Sequence, residues 1–247
     1  MPNRLRMARW PSMLLDMVFP ADCEACERPL PPGHPSCLCS PCRDAMAPVH
    51  GPFCDVCGVP LPSDQAGASC LGCLRHPPAF TSARAAALYL PAATGLNPLA
   101  AAVRSLKYRR RRRVAEALGG LLAERYPFRS DALLIPVPLH LGRLRARGFN
   151  QALLLARALG RHRGLPVAAR VLARARPTEA QTGLPAAERR RNLRDAFVVR
   201  STVAVERRPV VLVDDVLTTG ATADACARAL LGAGARRVDV YTAGRAP

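Results

Sequence analysis

The residues best suited to chemistry form one unbroken string, Val-Val-Leu-Val-Asp-Asp-Val-Leu-Thr-Thr-Gly-Ala-Thr at positions 210–222. Its leading aliphatics are the continuous apolar run of a strand buried on both faces. Asp214 and Asp215 stand together at the C-terminal end of that run. Thr218, Thr219, Gly220, Ala221 and Thr222 then make a turn of small residues, ahead of a helical stretch from Ala223 to Leu231. A strand, a small-residue turn and a helix start together make an anion site. The turn lets backbone come close, and the helix start offers unpaired N–H groups and the positive end of a dipole. The threonine hydroxyls add donors. The two carboxylates suit a second task, accepting hydrogen bonds from vicinal hydroxyls. A phosphate beside a diol describes a ribose 5-phosphate. The competing reading makes the Asp pair a cap of the following helix, a common role for Asp.

The second chemical constellation is a set of four Cys-x-x-Cys pairs: Cys23/Cys26, Cys39/Cys42, Cys54/Cys57 and Cys70/Cys73. Twelve residues separate the first pair from the second, and twelve separate the third from the fourth. The segment therefore reads as a duplicated unit. Two thiolates three residues apart on a tight turn reach one tetrahedral ion, and two such turns complete it, so two structural zinc ribbons are expected. Gly58, directly after Cys57, fits the turn. The duplication favours pairing of the first with the second pair and the third with the fourth; interleaved pairing remains open. Cys37 is the spare thiol, and the two-residue gap favours Cys39 as the ligand. His34, His50 and His76 lie nearby and are read as surface residues. Disulfides are the alternative use of such a cluster, but no secretory signal precedes it. Trp10 to Pro20 is weakly apolar, interrupted by Asp16 and too short to span a membrane, so the expectation is a cytoplasmic chain without a transmembrane segment.

These residues need elements to hold them. At 247 residues the chain has room for one medium domain and a small one. Residues 1–20 read as an N-terminal helix, amphipathic over 3–18, that packs against the rest of the protein. Residues 21–77 form the double ribbon. It is rich in Pro and Gly and poor in large aliphatics, so metal must supply its folding energy. From 78 to 247 strands and helices alternate. Strands are expected at 83–90, 133–138, 167–172, 196–199 and 238–242 around the central one, with helices at 97–106, 114–125 and 151–163. That alternation predicts an α/β fold with a parallel sheet and right-handed crossovers, Rossmann-like, with ligands at the C-terminal strand ends. Residues 176–194 are too polar for core and long for a connector, and read as a loop that closes over the site. Formal charge is +18, from 36 basic and 18 acidic residues, and a single one of the 36, Lys107, is lysine. Such a balance implies anionic partners, nucleic acid or a polyphosphate. The run Arg109 to Arg113 is either a solvated turn or an anion-contact loop. Aromatics are only 4%, which leaves few stacking platforms for bases, so DNA binding would be mostly electrostatic.

The 210–222 string resembles the phosphoribosyl-diphosphate (PRPP) motif of type I phosphoribosyltransferases. The resemblance implies that Asp214 and Asp215 hold the ribose 2- and 3-hydroxyls while Thr218, Thr219, Gly220, Ala221 and Thr222 hold the 5-phosphate. Zinc ribbons ahead of such a domain resemble the ComF family. The stretches that carry this resemblance are the cysteine pairs, Ser105-Leu106-Lys107-Tyr108, Ile135 to Leu139, Arg147-Gly148-Phe149-Asn150-Gln151, and Thr178 with Gln181, Leu184, Arg189 and Asn192. It implies work on incoming single-stranded DNA alongside the competence machinery. The fold class implies displacement of pyrophosphate from ribose C1, with Mg²⁺ accompanying PRPP and Arg143 and Arg147 placed to meet the diphosphate. Purine phosphoribosyltransferases often carry an acid where Thr218 stands, which speaks against purine salvage here. Two readings follow: a phosphoribosyltransferase with an unnamed acceptor, or a non-catalytic single-stranded-DNA adaptor that keeps PRPP or nucleotide binding.

Overall fold

The computed structural model describes residues 21–62, 67, 69–90, 97–175 and 196–247. The N-terminal helix and the 176–194 loop lie outside the described residues.

Apolar runs unbroken by polar alternation demand cover on both faces, and the central sheet receives it. Four parallel strands, β1 (Ser82–Leu88), β2 (Leu133–Pro136), β5 (Pro209–Leu217) and β6 (Arg237–Arg245), lie in the order β1-β6-β5-β2. Along β5, Val211 and Val213 point into one core while Val210 and Leu212 point into the other. Tyr241 and Ala243 on β6 face the first core, Val238 and Val240 the second. The first core is closed by three helices, α3 (Pro98–Tyr108), α4 (Arg113–Glu124) and α6 (Gln151–Arg163). Its aromatic centre is Tyr126, Phe128 and Tyr241, packed edge to face with centroids 5.5–5.8 Å apart. The second core is closed by α7 (Ala221–Gly232) and by a small hood.

That hood corrects the expected sheet. The apolar run at 196–199 is not a strand of the central sheet. It is β4 (Phe197–Val199), paired antiparallel with β3 (Leu172–Arg174) as a separate two-stranded ribbon. Of the stretch 167–172, Val167 bridges in parallel to Leu134 at the outer side of β2, and the chain then leaves for β3. A short apolar run shows strand preference but does not identify its partner. The helix α5 (Leu141–Arg147) was not expected: seven residues with four polar or glycine positions show no apolar stripe. It is closed at its start by the His140 ring, which accepts from the Gly142 N–H at 3.1 Å, and at its end by Gly148 in the left-handed conformation, φ 77.

The two ribbons dock differently. In the first, α1 (Ser40–Asp44) carries Cys42, and Leu30, Leu38 and Met46 join the first core. The second, with α2 (Leu71–Arg75) carrying Cys73, lies against β1 and the second core. The Ala83 N–H donates to Val56 O at 2.7 Å, and Arg84 reaches Asp55 O at 2.9 Å. Gly58 has φ +66, and a Cβ there would sit 2.6 Å from Ala83 O, so the turn after Cys57 requires glycine on both counts.

Candidate functional site

The cysteines assemble as the duplication predicts. Cys23, Cys26, Cys39 and Cys42 bring their sulfurs within 4.8 Å of one another, and Cys54, Cys57, Cys70 and Cys73 do the same. The pairing is consecutive, and each set fits one structural zinc. The second pair of each unit is not a plain turn: Cys39 and Cys70 are the N-terminal caps of α1 and α2. The units are chemically matched. Burial pushes the Cys23 thiol up, but backbone N–H groups of Cys39, Cys26 and Ala25 outweigh it and hold the thiol at about 7. Burial likewise works against Cys54, and Cys57, Cys70 and Val56 bring it to about 7. Cys37 stands outside the cluster, and burial raises its thiol to about 11. His34, His50 and His76 belong to neither set.

The Asp pair sits inside β5 rather than after it, since the strand continues through Leu217. Neither carboxylate caps a helix. The cap of α7 is Gly220, left-handed at φ 77 and without a side-chain cap, which removes the competing reading of the pair. Asp214 instead accepts the backbone N–H of Asp215 at 2.8 Å. Asp215 is buried and forms an ion pair with Lys107. Gln151 approaches its other oxygen at 3.5 Å and in turn accepts from Arg147 at 3.0 Å. The guanidinium of Arg147 lies over the Tyr108 ring, 5.4 Å from its centroid. Two of the quoted family stretches, 105–108 and 147–151, therefore converge on one carboxylate. Burial raises both acids. For Asp214 the charge of Asp215 adds to that, and its carboxyl lies well above the usual range. For Asp215 the Lys107 ammonium overcomes burial and holds it below. Two carboxyls side by side with one cation are thus pushed in opposite directions.

Beyond the strand, among the described residues, the N–H groups of Thr218, Thr219 and Gly220 are bonded to no backbone carbonyl. They precede the twelve-residue α7, whose first-turn amides face the same end. The Ala221 N–H reaches the Thr219 hydroxyl at 3.5 Å. Thr222 stands in the first turn of α7. This end of the loop opens on a cleft of about 720 Å³ shared with the second ribbon, lined by Cys57, Cys73, Arg75, His76, Arg228 and Arg245 among others.

Not every expected residue converges. Arg147 reaches Asp215 through Gln151. Arg143 is exposed on α5 and acts on the hood: burial lowers the pKa of Arg174, and the Arg143 charge lowers it further. Asn150 caps α6, accepting from the Ala152 N–H at 2.9 Å, and ties Val137 O at 3.0 Å, a structural task. The run 109–113 links α3 to α4, and each of its exposed arginines also has a partner. Arg109 meets Glu27 at 2.6 Å; Arg111 and Arg113 meet Glu24 at 3.5 and 3.3 Å; Arg110 reaches Ala146 O at 2.7 Å; Arg112 covers Phe149. These contacts make it a clasp between the first ribbon and the larger domain, while all five arginines stay exposed. Glu24 completes it by accepting from the Ser105 hydroxyl at 2.6 Å.

A family profile described as Double zinc ribbon domain matches residues 14–74. DNA utilization protein YhgH of Escherichia coli O157:H7 is 36% identical over 232 residues, which is 91% of this chain and 97% of that protein. Competence protein F of Haemophilus influenzae is 32% identical over 221 residues, 85% of this chain and 90% of that protein. Among solved structures, the glutamine phosphoribosylpyrophosphate amidotransferase from B. subtilis aligns with 51% of this chain and a quarter (25%) of its own, at 23% identity and a TM-score of 0.36.

Proposed function

Since the chain belongs to the ComF family, that of Competence protein F and DNA utilization protein YhgH, we propose that it acts in the uptake or utilization of single-stranded DNA and binds PRPP at the β5–α7 junction. The observation that carries this reading is the junction itself. A half-buried Asp214 and a cation-paired Asp215 lie near the C-terminal end of a buried strand, and amides of 218–220 bonded to no backbone carbonyl lead into the helix that follows. The ribose hydroxyls donate to the acid pair, and the 5-phosphate accepts from the loop and from the Thr218, Thr219 and Thr222 hydroxyls. Lys107 keeps Asp215 ionised for its share. Mg²⁺ would enter with PRPP, held mainly by its phosphates.

The finer reading is transfer of the phosphoribosyl group to an acceptor. The C1–pyrophosphate bond breaks with its electron pair going to pyrophosphate, and a bond forms from C1 to the acceptor nucleophile. Arg143 and Arg147 lie on the segment after β2 where the leaving diphosphate would be met. The alternative, an adaptor that binds without transfer, is favoured by one feature. The groups around Asp215 are Lys107, Gln151 and Asp214, each committed to another, with no base left over among the described residues.

Asp214→Asn is the discriminating variant. Asp215→Asn would also strip Lys107 of its counter-charge and confuse binding with stability, whereas Asp214 has no cation of its own in contact among the described residues. Titration calorimetry with PRPP and Mg²⁺ is expected to show binding to the wild type and at least about tenfold weaker binding to Asp214→Asn, because an amide can present its NH₂ group where the ribose hydroxyl needs an acceptor. Equal affinity removes the ribose assignment. Pyrophosphate release with candidate acceptors, single-stranded DNA included, separates transferase from adaptor.

A further inference from the structure

We propose that the second zinc centre is a positioning element of the phosphate loop. Acting through Arg245, it holds the 217–218 backbone in the shape that presents the loop's amides to an anion, so anion binding depends on this metal centre and not on the first. The inference rests on the β5–α7 junction being an anion site.

Arg245 ends β6 and is only 6% exposed. Its Nε donates to Cys57 O at 2.9 Å, and one terminal nitrogen lies 3.7 Å from Cys57 Sγ. The other terminal nitrogen donates to Leu217 O at 3.2 Å, to Thr218 O at 2.9 Å and to Ala246 O. One rigid guanidinium fork therefore ties a zinc-ligating residue to the two carbonyls that begin the loop. A buried guanidinium requires a negative partner. Here its partners are carbonyls and a cysteine sulfur, and a zinc ion held by four thiolates carries a net charge of about −2, which supplies it.

The geometry makes this tie matter for binding. In a trans peptide the carbonyl and the following N–H point in opposite directions. With Leu217 O and Thr218 O drawn to Arg245, the N–H groups of Thr218 and Thr219 are turned to the other side of the loop, and among the described residues neither has a backbone acceptor. The turn after Cys57 is itself fixed against β1 by Gly58 and by the Ala83 N–H, which donates to Val56 O. Among the described residues the first ribbon has no equivalent reach: its clasp runs through Glu24 to α3 and α4.

The test compares the full-length wild type with Arg245→Met, Cys73→Ser in the second ribbon and Cys42→Ser in the first. Amide hydrogen exchange at 218–222 is read beside zinc content, melting temperature and calorimetric PRPP affinity. Expected is exchange at 218–222 faster by about tenfold or more, with PRPP binding weakened by about the same factor, in Arg245→Met and Cys73→Ser. Arg245→Met keeps both zinc ions, and Cys42→Ser loses one while its loop amides exchange as in the wild type. Unchanged loop exchange in Arg245→Met overturns the link. So does equal acceleration in Cys42→Ser, which would mean general loosening. A wild type that binds no PRPP defeats the phosphoribosyl reading, and the exchange comparison alone then upholds or overturns the link.

Discussion

A chain that has put arginine at nearly every basic position keeps one lysine, and that lysine contacts the one fully buried acid of the site. Lys107 meets one oxygen of this carboxylate while Gln151 faces the other. Lys107 and Asp215 have side chains 20% and 5% exposed, so the pair is shielded, and removing one partner leaves a buried charge. Lys107→Met is expected to cost about 3–5 kcal/mol near neutral pH. In the wild type the Asp215 pKa lies below its ordinary value, so its stabilising contribution is present above about pH 4 and is lost as pH falls through the lowered pKa. Without Lys107, burial raises that pKa, Asp215 takes up a proton on acidification, and the deficit against wild type shrinks between about pH 7 and about pH 5. Urea unfolding at both values checks this; a deficit of equal size at each would mean that the lysine acts by packing. The rarity of Lys107 was visible in the sequence, but its partner was not, because the contact joins the end of α3 to the middle of β5. Glu24 and Arg245 were hidden for the same reason: each looks like an ordinary surface charge until the fold places it.

At the scale of elements, the clearest stability test lies where α4 crosses α6. A Cβ on Gly119 would fall 2.2 Å from Ala158 Cβ and 3.3 Å from its backbone, whereas Gly120 meets only the end of His162 at 3.9 Å. Gly120→Ala should stabilise by about 0.5–1 kcal/mol through helix propensity alone. Gly119→Ala has the same gain, but forcing two helices apart costs about 1–3 kcal/mol, so the net effect is destabilising. Thermal melts of the two neighbours should move in opposite directions; a shared rise would show that the crossing gives way easily. Helix α6 lies at the bounds expected from the sequence, with Asn150 capping its start and left-handed Gly164 its end. Residues 196–199 have the composition of a core strand, and only the antiparallel register with 172–174 puts them in the hood. The central sheet was legible for a physical reason: a strand covered on both faces writes its burial as an unbroken apolar run.

For the whole molecule the charge is the governing quantity. The net charge of +18 suits phosphate-rich partners, yet three of the five arginines of the 109–113 run are paired with Glu24 and Glu27. DNA affinity is expected to fall steeply with salt and to show little sequence preference, since arginines contact phosphate rather than base edges unless aimed into a groove. Anisotropy titrations from low to high salt test this; a flat salt dependence, or a strong preference for one sequence, counts against it. Chelator-washed protein should hold about two equivalents of zinc. Complete metal removal should lower the melting temperature, because Leu30, Leu38 and Met46 of the first ribbon are part of the first core. One equivalent, or melting unchanged by metal removal, would reject two structural sites.

The two ribbons share spacing, pairing and thiol chemistry, yet they are no longer exchangeable. Where the first reads Cys-Glu-Ala-Cys-Glu, the second reads Cys-Asp-Val-Cys-Gly. In the first copy the acid at the second position binds Ser105, Arg111 and Arg113 through its side chain, and the fifth residue, Glu27, takes a left-handed backbone at φ 61 and meets Arg109. In the second copy the same two positions offer a bare carbonyl to Arg84 and a glycine pressed on β1. A chimera carrying the second unit twice would keep all eight thiolates and its full metal load, and would leave the arginine clasp with shorter or missing acids to grip. The two units, alike in spacing, present different side chains to the larger domain and are held to it by different contacts.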